Sequence, residues 1–235
     1  MQGKEHYLVL HASEQHIAYA TRICEEMEAS ANARGTGIAR RSPDYIADKM
    51  REGKAVIALT RKGEWAGFCY IETWEHGKYV ANSGLIVAPA FRKDGLAREI
   101  KKAIFRLSEI RYPNAKIFGL TTGLAVMKIN SELGYEPVTY SELTSDESFW
   151  KGCRSCVNHD ILVSKERKNC LCTAMLYDPS LRKQVHAGFW DFARNSKLYE
   201  RFMRIKQQIL LRGQKKHPAP ATEQKERVLT FFKLF

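Results

Sequence analysis

The spacing of apolar and polar positions changes often along the chain and divides it into short elements. Leu8-Val-Leu10 reads as a strand. Glu14 to about Ala33 has the spacing of an amphipathic helix, which Gly35-Thr-Gly37 ends. Ser42-Pro43-Asp44 announces a second helix, with Ser42 as its cap, Pro43 at the first helical position and Asp44 favourable to the dipole. It stops at Gly53. Ala55 to Thr60 and Trp65 to Thr73 cluster apolar residues around a Lys62-Gly63 turn, a hairpin signal. Tyr79 to Ala88 is predicted as a strand, Leu96 to Arg111 a helix, Lys116 to Thr121 a strand, Leu124 to Leu133 a helix, Glu136 to Tyr140 a strand and Val157 to Ser164 a last strand.

Beyond that the pattern loosens. Ser180 to Leu211 contains helical stretches with Phe189, Trp190, Phe192, Tyr199, Phe202 and Met203 on an apolar face. His217-Pro-Ala-Pro-Ala221 reads as a linker, and Val228 to Phe235 is apolar enough to dock on its own chain or on a second copy in a homodimer.

Within this order, Gly84 to Arg98 carries the most information. Leu85, Ile86 and Val87 form a short apolar run that Pro89 closes. Gly95 and Ala97 then keep side chains clear of a basic turn, and the helix from Leu96 offers free N–H groups to an anion. A net charge of +12 over 235 residues admits nucleic acid, acidic surfaces or a phosphate-rich ligand as partner. Much of it sits in Arg92, Lys93, Arg98, Lys101 and Lys102, which suit an anionic ligand, and in the tail from Arg201 to Lys216, which suits a solvated helix face. No window approaches the length of an apolar membrane span, and the first twenty residues lack the core of a secretory signal, so a cytoplasmic location and no membrane partner are expected.

The pattern Arg92-x-x-Gly95-x-Ala97 at a strand-to-helix turn resembles the pyrophosphate loop of the GNAT N-acyltransferases. The resemblance is closest to the acyltransferase domain of N-acetylglutamate synthases. Ile38-Ala-Arg-Arg-Ser42, the lysine-led strand Lys78 to Val87, Phe118-Gly-Leu-Thr-Thr122 and Leu133-Gly-Tyr-Glu-Pro-Val138 follow that family's order and approximate spacing. It implies an α+β fold with a central mixed, mostly antiparallel sheet flanked by helices over residues 1–165. Residues 166–235 would form a cysteine-containing hairpin and a helical C-terminal extension.

The same resemblance implies an acyltransferase that moves an acetyl or related short acyl group from acyl-CoA to a primary amine. The α-amine of glutamate, at the first step of arginine synthesis, is the most specific version. Leu85, Ile86, Val87, Arg92, Lys93, Asp94, Gly95, Leu96, Ala97 and Arg98 would hold acetyl-CoA, and Arg41, Lys78 and Arg154 would bind the acceptor's carboxylates. The base that deprotonates the amine is sought among Glu72, Glu75 and His76, with Glu75 first. Many members carry a tyrosine as general acid where this chain has Asn130, which leaves Asn130, Tyr135, Tyr140 or a water in that role.

Cys153-Arg-Ser-Cys156 and Cys170-Leu-Cys172 are two close pairs that a hairpin could bring around a structural zinc, with His159 as a spare ligand. Reduced thiols are the rival reading. Charge and cysteines together give a second function class, a zinc-stabilised nucleic-acid binder. The chain lacks the signatures of an RNA-recognition sheet or a DNA-reading finger, so nucleic acid ranks below the enzyme. A coenzyme A sensor of the same fold that has lost turnover is a third reading.

Overall fold

The computed structural model describes residues 7–34 and 41–181. Contacts divide the chain into a compact unit, Met1–Lys183, and a second, Gln184–Phe235, which lies outside the described residues together with the helical stretches, linker and apolar end expected there. Among the described residues no helix is long and apolar enough to cross a membrane.

The unit is built on an open seven-stranded sheet. Strand β1 (Tyr7–His11) is followed by a 3-10 turn (Glu14–Tyr19), α1 (Ala20–Arg34) and α2 (Pro43–Arg51). Strands β2 (Ala55–Thr60), β3 (Trp65–Trp74) and β4 (Tyr79–Val87) form a meander. Then come α3 (Leu96–Arg111), β5 (Lys116–Thr121), α4 (Leu124–Glu132) and the short β6 (Glu136–Val138). Helices α5 (Glu147–Lys151) and α6 (His159–Ser164) precede β7 (Thr173–Tyr177). The spatial order is β1-β2-β3-β4-β5-β7-β6, antiparallel throughout except for the parallel pair β4–β5.

Local chemistry accounts for these elements. Ser42 Oγ accepts from the Tyr45 amide and caps α2, Pro43 opens it, and Gly53 leaves it at φ 62°. In α3 the stripe Leu96, Ile100, Ile104, Leu107 and Ser108 is buried, and burying each of its large apolar side chains stabilises the fold by about 1.5–3 kcal/mol. Alternation along β4 assigns the faces. Asn82 bonds Ser108 of α3 on one side, while Ala81 packs with Phe118, Tyr140, Leu143 and Trp150 on the other.

Two sequence expectations are corrected. Val157 to Ser164 is not a strand: Leu162 is buried while Val157 and Val163 are 69% and 59% exposed, the one-sided burial of a helix turn. The last strand is instead the continuous run Thr173-Ala-Met-Leu-Tyr177, which inserts between β5 and β6. The sheet therefore continues past residue 165, where the sequence reading ends the domain, because β7 supplies the ladder that closes β5 and β6. The remaining differences are small. The first expected helix begins as a 3-10 turn, and the strand from Glu136 ends at Val138, with Tyr140 in a 3-10 turn.

The β3–β4 ladder jumps from the pair Phe68 and Ile86 to the pair Tyr70 and Ser83, so Gly84 and Leu85 bulge opposite Cys69. Gly84 holds φ 63°, and a Cβ there would stand 2.3 Å from Tyr70 Cε1 and 2.8 Å from the Met27 methyl. The Gly84→Ala variant should lose about 1–3 kcal/mol from overpacking and backbone strain. A lower urea midpoint with an unchanged slope is the expected result; an unmoved midpoint would mean that the bulge relaxes at no cost.

Candidate functional site

The turn from β4 to α3 forms a cradle of backbone amides rather than of side chains. Lys93 and Gly95 take positive φ, 76° and 84°, and Gly95 caps α3. The amides of Gly95, Leu96 and Ala97 have no acceptor among the described residues, and the carbonyl of Gly95 already receives Arg98 and Glu99. A Cβ at Gly95 would meet nothing within 4 Å, so the space before these amides is open. Successive free N–H groups at the positive end of a helix dipole attract phosphate oxygens.

The basic side chains around the cradle are already engaged. Arg92 donates through Nε to the Val87 carbonyl at 2.9 Å and through Nη2 to Glu26 Oε1 at 2.8 Å and Ser30 Oγ at 2.7 Å, so it ties the turn to α1. Arg98 pairs with Glu132, and Asp94 accepts from the Tyr7 hydroxyl at 3.0 Å. Lys93 is exposed at the rim, and Lys102 is half-buried and lies 3.8 Å from Glu99.

The pairing of β4 with β5 is incomplete as well. These strands bond only at Tyr79–Lys116, Val80–Ile117 and Ala81–Phe118, then diverge. Leu85, beside this gap, sits in the bulge without a ladder partner, whereas Ile86 and Val87 pair with Phe68 and Gly67. Asn130 of α4 lies over Gly119, the first β5 residue beyond the last pair. Its Nδ2 contacts Met175 Sδ at 3.7 Å, and its Oδ1 is buried with no partner. Tyr135 is buried as well, and its phenol donates to Asn82 Oδ1 at 2.9 Å on the α3 side of the sheet.

On the opposite face, Arg41, Tyr45, Tyr70 and Glu72 form one polar group. Arg41 donates to the Tyr70 hydroxyl at 2.9 Å and to Glu72 Oε1 at 3.0 Å, and lies 5.2 Å from the Tyr45 ring centre. Their side chains keep 21% and 14% exposure for Arg41 and Glu72, so the pair is largely shielded from water. Burial opposes the Arg41 charge, yet Tyr70 and Glu72 outweigh it and hold the guanidinium above its ordinary value. Burial and then the Glu72 carboxylate push the Tyr45 phenol up.

The other acceptor and base residues expected from sequence are dispersed. Glu75 receives Thr144 Oγ1 at 2.6 Å and the Ser145 amide at 3.1 Å, and the Thr144 hydroxyl leads the contacts that lower its pKa. It pins the 144–146 loop to the end of β3. Lys78 and Arg154 are exposed. Cys153, beside Arg154, lies within electrostatic reach of Arg41.

The zinc expectation is not met. Among the described residues no group of three or more His, Cys, Asp or Glu is arranged to hold a metal ion, and all six cysteines are free. Cys170 turns into the core, with Sγ 3.8 Å from the Asn158 carbonyl oxygen, and Cys153 packs against the aromatic cluster around Trp150. The thiols still sense one another: burial, then Cys156 and Cys170, raise Cys153 to about 11, and the hydrogen bond with Cys170 leads the rise at Cys172.

Sequence reading misplaced one group, setting Lys101 among the cations that suit an anionic ligand. Lys101 stands in a run of surface cations in the sequence but is 2% exposed, with Nζ 3.3 Å from Asn82 Oδ1 and 5.1 Å from the Tyr135 ring centre. Its phase was the available signal, since it falls on the buried stripe of Ile100, Ile104 and Ser108.

No family model matches the chain, and no curated protein matches it in sequence. Solved structures do. N-acetylglutamate synthase from Neisseria gonorrhoeae, complexed with coenzyme A and N-acetyl-glutamate, superposes with a TM-score of 0.52 at 14% identity over 74% of this chain and 35% of that one. The chain thus spans about a third of that synthase's length. Rv2747 from Mycobacterium tuberculosis, complexed with CoA and a second ligand, gives 0.52 at 15% identity, covering 73% and 98%. A proposed acetyltransferase of Acinetobacter baylyi gives 0.51 at 14%, covering 76% and 94%.

Removing the Glu72 carboxylate would strand a shielded guanidinium. We expect Glu72→Ala to lower stability by about 1–3 kcal/mol in denaturant unfolding, with Glu72→Gln losing less because it still accepts from Arg41. Equal losses would assign the effect to packing instead.

Proposed function

We propose that this chain, whose fold is that of the GNAT acetyltransferases, transfers an acetyl or related short acyl group from acyl-CoA to a primary amine. The observation that carries this reading is the open amide cradle at Lys93 to Ala97, placed at the end of a bulged strand beside a diverging one. The cradle would take the pyrophosphate. The pantetheine would run to the gap between β4 and β5, and the Leu85 amide would polarise the thioester carbonyl. The orphaned Oδ1 of Asn130 at that gap fits a ligand that brings N–H or S–H groups to it.

The acceptor would approach from the face of Arg41, Tyr70 and Glu72. A substrate carboxylate suits Arg41, whose fork can exchange Glu72 for an incoming anion, with Lys78 and Arg154 at the rim. This supports an acidic amino acid as acceptor, with glutamate first, and a product at the first step of arginine synthesis. Once freed from Arg41, Glu72 is the better placed base. Glu75 is held by Thr144 and Ser145 and its lowered pKa makes it the weaker one, although both act only on an amine brought within hydrogen-bonding reach.

The experiment is thiol release from acetyl-CoA with the full chain and a panel of amino acids and polyamines, glutamate first. Turnover with glutamate supports the whole reading; turnover with another amine keeps the reaction and discards the pathway. Coenzyme A binding without turnover, by acetyl-CoA or succinyl-CoA, leaves the sensor reading.

Two variants separate donor from acceptor. Gly95→Glu places a carboxylate in the open space before the cradle amides and should weaken coenzyme A binding at least a hundredfold by calorimetry, in line with a loss of about 3 kcal/mol. Undiminished affinity would remove the phosphate from this turn. Lys78→Ala should raise the Michaelis constant for an acidic acceptor about tenfold and leave that for the thioester unchanged.

A further inference from the structure

The gap between β4 and β5 is polar on one wall only. Asn82 and Gly119 are the first residues past the last bonded pair, Ala81–Phe118. Above Gly119 lies the amide of Asn130; behind Asn82 lies Lys101. Asn82 is engaged at both ends of its amide: its Oδ1 accepts from Lys101 Nζ at 3.3 Å and Tyr135 Oη at 2.9 Å, and its Nδ2 donates to Ser108 Oγ at 2.8 Å, which in turn donates to the Ile104 carbonyl. The Lys101 ammonium is only partly engaged. Its other ammonium hydrogens have no acceptor among the described residues, although the group is 2% exposed. A buried cation with unmatched donors is costly, and such sites are commonly functional.

Acyl transfer from a thioester ends with a thiolate that must be protonated. Asn130, where a phenol might have stood, carries a neutral amide that gives up no proton at ordinary pH. The Tyr135 phenol is a poor donor too, because burial raises it well above its usual value and its hydrogen is committed to Asn82. On the reading that the thioester lies in this gap, we propose that Lys101 is the proton donor to the leaving coenzyme A thiolate, aimed by Asn82 from the α3 side.

The step balances. The amine nitrogen forms a bond to the carbonyl carbon and yields one proton to the base. As the tetrahedral intermediate collapses, the C–S electron pair passes to sulfur, and a proton moves from Lys101 Nζ to that sulfur. The products are the amide, free coenzyme A and a neutral lysine. Lysine recovers its proton from solvent, so each turnover starting from an ammonium substrate releases one proton.

Burial, opposed by the neighbouring Cys69 thiol of β3, lowers Lys101 to about 8, close to the ordinary range of a thiol near 8.5, so the transfer is nearly level in free energy. Cys69 and Tyr135 are the titratable groups facing it, and Asn82 and Ser108 its neutral neighbours. The donor is the protonated form. The rate constant kcat should therefore fall as pH rises through about 8.

The test uses the full chain, Lys101→Met and Lys101→Arg. In Lys101→Met, which replaces the cation by an apolar group of similar length, kcat should fall about 10²- to 10⁴-fold with the Michaelis constant for acetyl-CoA changed less than about threefold, and the basic limb of the pH profile should vanish. Lys101→Arg keeps the charge but holds its proton, and should not rescue kcat. A second readout needs no amine. The wild-type preference for coenzyme A over desulfo-coenzyme A should grow as pH rises toward about 8, as the ammonium draws the bound thiol toward thiolate, then level off, and Lys101→Met should lose that dependence. If no amine turns over but this preference is present and lost in the variant, Lys101 is placed at the coenzyme A sulfur, while its role as proton donor falls with the transferase reading. A basic limb that persists in Lys101→Met, rescue by arginine, or acetylation of Lys101 itself on incubation with acetyl-CoA would each overturn the assignment.

Discussion

Strand β4 depends on incomplete pairing. A central strand that satisfies every backbone group offers nothing to a ligand, because its N–H and C=O groups are already bonded to their neighbours. Here β4 departs from that condition twice. On the β3 side the bulge removes Gly84 and Leu85 from the ladder, and on the β5 side pairing stops at Ala81. The departures are held open by packing. Tyr70 and Met27 close over Gly84 so tightly that no side chain fits, while Tyr70 itself is anchored by Arg41 and by an edge contact with Tyr45. The polar group on one face and the backbone irregularity in the sheet are thus parts of one support.

The charge of the chain plays a different part from the one its total suggests. Of the cations near the cradle, Arg92 braces α1, Arg98 meets Glu132 and Lys101 is turned inward. Backbone amides are left to face an anion, in a geometry fixed by Lys93 and Gly95 at positive φ. Fixed dipoles of this kind need no side-chain ordering when a ligand arrives, and they distinguish phosphate by shape as well as by sign.

The legible parts of the sequence were those whose cause is local. Ser42 with Pro43, the turn at Gly63 and the run from Gly84 to Ala97 each contain their own explanation, and the structure keeps them. The illegible parts depend on neighbours distant in sequence. Val157 to Ser164 has the β-branched residues of a strand, but the sheet has no place for it, since Thr173 to Tyr177 occupies the ladder beside β5. Glu75 looks like a free carboxylate until Thr144 and Ser145 close on it, 69 and 70 residues away. Lys101 is one cation among several until the phase of α3 turns it toward Asn82. The cysteine spacing pointed to a cage, yet the hydrophobic cluster draws Cys170 and Cys153 into its own packing.

The connection from β6 to β7 leaves the sheet at Val138 and returns at Thr173, and its two ends are hydrogen-bonded neighbours, Val138 facing Ala174. A long excursion stitched shut at its base behaves as a replaceable cassette. It carries α5, α6 and all four clustered thiols, and it packs through Tyr140, Leu143 and Trp150 on the sheet face that bears Ala81 and Phe118. Descendants of such a chain could therefore exchange this cover wholesale without breaking the ladder beneath it.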